Sequence, residues 1–287
     1  MPISRAECMQ AFGYEKLSQV PAAQITFPSG PSCREACKGR AANAPKELKN
    51  YAVFDNPVAD DNYPLRRFAA AIRLADYPDY GAFCQYVKKF SNGERIRLVK
   101  RAQKNGYFVE LCDLRTFSVD RMDIHQSKET RQGQPIRGVC VLPIEELGGV
   151  PTRYLEPKTP ECENYWIVSF GVFLPETGHK QGDVTVDKRM VAYINLNRVG
   201  EYAFYGTILG HGAHLANGVM DLCHHHIVEM LLEKRAAWAA NLRYIWYAGM
   251  EDGTPGLYQW KRRSGFKPHR FYARQRVSEC AMAATRE

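Results

Sequence analysis

VAYINL at 191–196, EYAFYGTIL at 201–209, GHGAHLANG at 210–218, VMDLCHHHIVEMLLEK at 219–234 and LRYIWYAG at 242–249 follow one another almost without interruption, and their order decides the fold. The first two runs are rich in β-branched and aromatic residues and are split by a turn signal at 197–200, so they read as a hairpin. The second run empties into a loop with three glycines, where missing Cβ atoms let backbone amides approach a ligand. A helix follows at once, with Val219, Cys223, Ile227 and Met230 on one face at helical spacing. LRYIWYAG reads as a second strand, and MEDGTPG turns the chain into the short amphipathic segment LYQWKRR. A strand feeding a loop at a helix N-terminus gathers amide donors and the positive end of the helix dipole, the setting that suits an anion such as a pyrophosphate.

Working outward, YWIVSFGVFL at 165–174 is an apolar run of strand length and reads as a central strand. Residues 178–188 form a polar hairpin loop, and FVELCDL at 108–114 a further strand. From 63 to 107 the text reads as helical: LRRFAAAIRLADY, YGAFCQYVKKF and ERIRLVKRAQKNGY carry apolar residues at three and four spacing and close on Asn-Gly. Residues 1–60 hold two proline-bearing stretches and no long periodic pattern, which predicts an irregular N-terminal arm, with 61–287 as a single domain whose first part is helical.

The chain has 287 residues, 45% of them apolar, enough for a substantial core. No apolar run reaches the length of a membrane span, and the first residues lack the apolar stretch of a secretory signal, so a cytoplasmic protein is expected. Nine cysteines are scattered without a disulfide-framework pattern, which predicts reduced thiols. Cys33 and Cys37 have no further ligands at metal-site spacing, and three consecutive helical residues, His224, His225 and His226, point too far apart to share one ion, so no metal is expected. Of those three, His226 is expected to border the core. The formal charge of +8 is concentrated in KRRSGFKPHRFYARQR at 261–276, with seven cations and no acid, which suits an anionic partner.

Strand, glycine loop, helix, strand, helix and the terminal Gly265-Phe266-Lys267-Pro268 together resemble the GNAT acyltransferase superfamily over roughly 165 to the C-terminus. QWKRRSGF is in addition similar to a segment of the FemABX branch, whose members transfer amino acids from aminoacyl-tRNA. The resemblance implies an α/β fold of mixed α+β type: a central mixed sheet with helices on both faces. It implies that two neighbouring strands splay, here near 205–209 and 244–248. The implied activity is transfer of an acyl group from a coenzyme A thioester to an amine of a small-molecule or peptide acceptor, with no permanently bound cofactor. The alternative is an aminoacyltransferase with aminoacyl-tRNA as donor and tRNA as partner; a further one is a non-catalytic GNAT-like or RNA-binding module.

Two departures from the acetyl-coenzyme A pattern stand out. Leu215 occupies the place of the loop's basic residue and Met220 that of its last small residue. Where many members place a tyrosine acid, this chain has Lys261, with Tyr258 about one turn earlier. The resemblance therefore implies Lys261, Tyr258 and His211 as catalytic candidates, for an oxyanion, a leaving group and the amine proton. It implies Gly210, Gly212, His214, Asn217, Gly218 and Arg263 at the donor, and Ser127 and Arg131, from IHQSKETRQGQP at 124–135, at the acceptor. Glu251 and Asp252, just past the second strand, are further candidates for a carboxylate base.

Overall fold

A computed structural model describes residues 3–26, 48, 52–54, 67–128, 130–131, 134–135 and 142–274. Its centre is a nine-stranded mixed sheet. The strands are β1 (Ala22–Thr26), β2 (Ala52–Phe54), β3 (Ala69–Arg73), β4 (Phe108–Cys112), β7 (Tyr165–Pro175), β10 (Lys188–Val199), β11 (Tyr202–Gly210), β12 (Tyr244–Gly249) and β13 (Lys267–Arg274). They lie in the order β1-β13-β3-β12-β11-β10-β7-β4, and β2 also pairs β13. Two short ladders stand apart, β5 (Thr130–Arg131) with β6 (Gln134–Pro135) and β8 (Lys180–Gln181) with β9 (Val184–Thr185).

The expected hairpin is β10 antiparallel to β11, and β11 runs parallel to β12, as the connecting helix requires. That helix, α5 (Val219–Leu232), packs with α2 (Tyr80–Ser91) and α3 (Glu94–Lys104) on one face of the sheet. Its Ile227 and Val228 are fully buried with Phe170 and Ile194 of the strands, each side chain contributing about 1.5–3 kcal/mol relative to exposure. On the other face α4 (Ser118–Gln126) covers Tyr193, Phe173 and Leu209. Local signals fix the helix starts. Asp79 accepts from Ala82 N at 2.7 Å at the head of α2, and Thr254 caps α6 (Pro255–Arg263), where Pro255 needs no donor.

Two expectations are corrected. LRRFAAAIRLADY is not a helix: Ala69–Arg73 is a strand inserted between β12 and β13, followed by a single 3-10 turn. Ala70 and Ile72 pack into the helix-side core while Ala69 and Ala71 pack into a second cluster. A strand buried on both faces shows no polar alternation, so its alanines imitate a helix, and pairing on both sides overrides alanine's propensity. The first 60 residues are not irregular throughout. Ser4 and Glu7 form a reciprocal cap that opens α1 (Arg5–Ala11), and both β1 and β2 join the sheet parallel to β13. Cys33 and Cys37 lie outside the described residues.

Candidate functional site

The parallel register of β11 and β12 covers only Tyr202–Tyr244, Ala203–Ile245 and Phe204–Trp246. Beyond it both strands bulge. Gly206 and Thr207 of β11 face the single Asn195, and Tyr247 and Ala248 of β12 face the single Ala70, with Ala248 at φ +50°. Bulges sharpen twist and re-aim a strand, so the two ends swing apart. A cleft of about 490 Å³ opens where they part. Ile208 and Gly210 of β11 and Tyr247 of β12 form its floor, and Leu215, Ala216, Met220 and Asp221 bring in the glycine loop and the start of α5. Arg95 and Leu98 of α3, Leu257 and Trp260 of α6, and Lys128 and Thr130 complete it.

A mixed sheet, a parallel pair splayed by bulges, and a glycine loop leading from the splay into a helix are the arrangement that the resemblance implied. The fold is GNAT-like. No family model matches this chain, and no curated protein matches it. Among solved structures it is similar to FemX, at 12% identity over 88% of this chain and 79% of that one, with a TM-score of 0.45. It is also similar to a tandem GNAT protein from the clavulanic acid biosynthesis pathway, at 13% identity over 86% and 73%, TM-score 0.36. A GCN5-related N-acetyltransferase from Kribbella flavida matches at 12% identity and TM-score 0.33 over 70% of this chain. This chain spans 54% of that protein's length.

Of the residues expected at the donor, Gly210 lies on the cleft, where a Cβ would meet Leu215 Cδ2 at 2.7 Å and Met220 Sδ at 2.9 Å. Gly218, at φ +82°, lets α5 start against the Leu98 carbonyl, which a Cβ would approach to 2.6 Å. The loop is largely self-satisfied. His211 N donates to Val191 O, His214 N to His211 O, Asn217 N to His214 O and Gly218 N to Leu215 O, while Gly212 N donates to Ser127 Oγ at 2.9 Å. That leaves the first turn of α5, Val219 to Asp221, as the stretch whose amides an α-helix cannot satisfy internally, and Gly218 supplies no side-chain cap. Tyr107 OH sits 2.7 Å from His214 Nδ1 and receives Asn217 Nδ2 at 3.2 Å; burial lowers the His214 pKa. Arg263 pairs with Glu94 at 2.8 Å, both about two-fifths exposed, a contact of small energy.

None of the three catalytic candidates is among the residues that line the cleft, and they differ in how near they come. His211 follows Gly210 directly, and its Nε2 lies 3.6 Å from an Asp123 carboxylate oxygen. Lys261 and Tyr258 do not line the cleft: α6 turns Leu257 and Trp260 toward it and buries the other two almost completely. Lys261 Nζ donates to Gly249 O at 2.5 Å and Asp252 O at 3.3 Å, and stands 5.0 Å from the centre of the Tyr247 ring. Burial brings its pKa down to about 8. Tyr258 OH has no partner among the described residues, and burial pushes its pKa up to about 12. The turn acids are occupied as well. Glu251 accepts from Phe68 N at 3.1 Å, and Asp252 accepts from Gly249 N at 2.7 Å and pairs with Arg67.

On the acceptor side, Ser127 Oγ donates to Ile124 O and accepts from Gly212, tying its segment to the donor loop. Arg131 lies in β5, and its side chain is outside the described part. Its neighbours Lys128 and Thr130 reach the cleft instead. The residue that sequence reasoning missed is Asp221. Buried at the first turn of α5, it accepts from Arg95 Nη1 at 3.3 Å through both oxygens and from the Trp260 indole, joining three helices at the cleft wall. Its only signal was an acid in a helix's first turn, which is ordinary.

The histidine triplet is structural. Tyr205 OH donates to His224 Nδ1 and His224 Nε2 donates to Ser264 O, both at 2.8 Å, while His225 Nδ1 lies 2.9 Å from Tyr80 OH. Thus His224 and His225 lie within the core, and His226, half-buried with its ring 6.0 Å from that of the buried Phe170, borders it as expected. Among the described residues, no three His, Cys, Asp or Glu side chains gather as a metal site, and no helix is long and apolar enough to cross a membrane. The basic run from 261 is mostly consumed by folding: Lys261 and Arg270 are buried, and Arg263 and Lys267 are ion-paired.

Proposed function

We propose that this protein transfers an acyl group to the amine of a small-molecule or peptide acceptor, in the cleft between the parted ends of β11 and β12, with a coenzyme A thioester as donor. The observation that carries this reading is the splay itself. Two strands that part leave a trough floored by the strand ends and walled here by Trp260 and Leu98, into which an extended acyl arm fits. Aminolysis needs a neutral amine, donors for the oxyanion and a dry, fixed geometry rather than a protein nucleophile. In this reading the start of α5 takes the donor's phosphates, and His211, backed by Asp123, takes the acceptor's proton. Lys261 acts by position, holding the end of β12 through the Gly249 and Asp252 carbonyls.

One observation favours the second reading, an aminoacyl-tRNA donor. Most amides of the loop from His211 to Gly218 are engaged within the chain, and the Asp221 carboxylate occupies the helix turn that a pyrophosphate would use. An aminoacyl ester brings no pyrophosphate to that place. Thermal-shift measurements with coenzyme A, acetyl- and octanoyl-coenzyme A, and charged and uncharged tRNA separate the two. A ligand at about 100 times its Kd adds about 2.7 kcal/mol of stability, a shift of several degrees. Coenzyme A thioesters raising the melting temperature support the first reading, and charged tRNA alone supports the second. Binding of none of these overturns both.

A further inference from the structure

The hairpin α2–α3 presents a surface that none of the chemistry above uses. Lys88 and Lys89 close α2, the left-handed pair Asn92 and Gly93 turns the chain, and Arg97, Lys100, Arg101 and Lys104 follow on α3. All six cations are exposed, and none has a carboxylate within ion-pair distance among the described residues. The four on α3 fall at spacings of three, one and three, which puts them on one face. At 1.5 Å per residue they extend over about 10 Å, roughly three nucleotide steps of a helical strand. The opposite face of α3 is fixed to the body of the protein: Val99 and Ala102 are buried, and Leu98 lines the cleft. The stripe ends at the glycine loop, where Arg101 Nη1 reaches Ala216 O and Asn105 Nδ2 reaches Asn217 Oδ1, each at 3.4 Å.

We infer that this stripe is a docking surface for the phosphate backbone of an RNA, laid along α3 with one end at the cleft. Two features select RNA over other polyanions. Insertion into a bilayer surface calls for apolar side chains set among the cations, yet the large exposed apolar residues among the described ones, Val150, Tyr154 and Ile167, all lie elsewhere in the chain. A single small phosphate needs convergent donors in a pocket, whereas these side chains are strung along a rigid helix and match a repeating charge. The surface is independent of which donor the cleft takes: RNA affinity resides in the stripe, and turnover in the cleft.

The test is binding of a fluorescein-labelled RNA stem-loop to the full chain across a salt series. The wild type is expected to bind with an affinity that falls steeply with salt. The pair K100E and K104E, both exposed and away from the cleft, is expected to lower affinity about tenfold or more and to reduce the slope of log K against log salt by about 1.5. The pair R153E and K180E, equal in charge change but far along the chain, is expected to leave both unchanged. A thermal shift with octanoyl-coenzyme A on the same variants shows whether the cleft is intact. An unchanged slope in the first pair, equal losses in both pairs, or binding to vesicles of phosphatidylglycerol and phosphatidylcholine without binding to RNA would overturn the inference. Absence of a coenzyme A response in the wild type, with RNA binding retained, would count against the proposed function and leave this surface standing.

Discussion

Two polar clusters flank β12 and behave oppositely. On one side Lys261, Tyr258, Glu251 and Cys8 lie in or against the closed core, where burial brings the lysine down to about 8 and pushes both the tyrosine and the thiol up to about 12. On the other, Asp221, Arg95 and Trp260 form a braced wall of an open cleft. The difference teaches that chemical conspicuousness and access are separate properties. On a helix, one position decides which side of the sheet's end a residue serves, so Trp260 meets the cleft and Lys261 meets the core.

If the comparison holds, changes in the closed cluster move stability and changes in the open one move ligand response. The largest effect is expected from Lys261→Ala, which strands two carbonyls and empties a fully buried site. Unfolding free energy should fall by about 2–4 kcal/mol in urea titrations, with donor affinity changed less than about threefold. A stable variant that no longer binds donor would reverse the assignment and return Lys261 to the chemistry.

A second effect follows from the closed histidines. Burial holds His224 near 4, His225 near 3 and His269 near 4, all below the ordinary 6.5. Between 6.5 and about 4 the unfolded chain therefore binds protons that the folded chain refuses, so their contribution is present above 6.5 and is lost as pH falls toward 4. Asp120, Asp221 and Glu251, raised by burial, act in the opposite direction, so a variant is needed to isolate one group. His224→Gln should narrow its stability gap to wild type by about 3 kcal/mol between pH 7 and pH 4. Parallel stability curves would show that His224 is not held neutral.

The smallest effect, and the sharpest for the cleft, is Asp221→Asn. Asparagine still accepts from the indole but loses its charge toward Arg95, which keeps Glu94. Stability should fall by about 1 kcal/mol, while affinity for a coenzyme A donor should rise by about tenfold, or 1.4 kcal/mol, in calorimetric titration, because no carboxylate competes with its phosphates at the helix turn. A large stability loss with unchanged affinity would move Asp221 into the structural class with Lys261.

The fold was legible in the sequence wherever one element dictated the next. β-Branched and aromatic runs gave β10, β11 and β12, the glycine loop gave the start of α5, and the helix between two strands gave their parallel sense. It was not legible at Ala69–Arg73, because a strand enclosed on both faces loses the alternation that marks a strand. The site was legible as a place and less so as a set of residues. Of the expected donor residues Gly210 lines the cleft, whereas Asp221, Arg95, Lys128 and Trp260 are gathered from distant segments, Arg95 and Asp221 standing 126 positions apart. In the basic run, the burial of Lys261 and Arg270 and the pairing of Arg263 and Lys267 were not legible, because sequence shows how many cations there are and not which ones folding consumes.

The position of β3 has a consequence for how the chain is made. It sits between β12 and β13, and among the described residues β1 and β2 pair only with β13. On the ribosome, then, β1, β2 and β3 wait for β12 and β13, while β4, β7, β10 and β11 can assemble beforehand. The nascent protein would carry Ala69 to Ile72 unpaired until the final strands emerge, an interval in which these edges are open to wrong pairing. Closing of the sheet across β3 is thus the late, slow step in which β1 and β2 are committed together with β12 and β13.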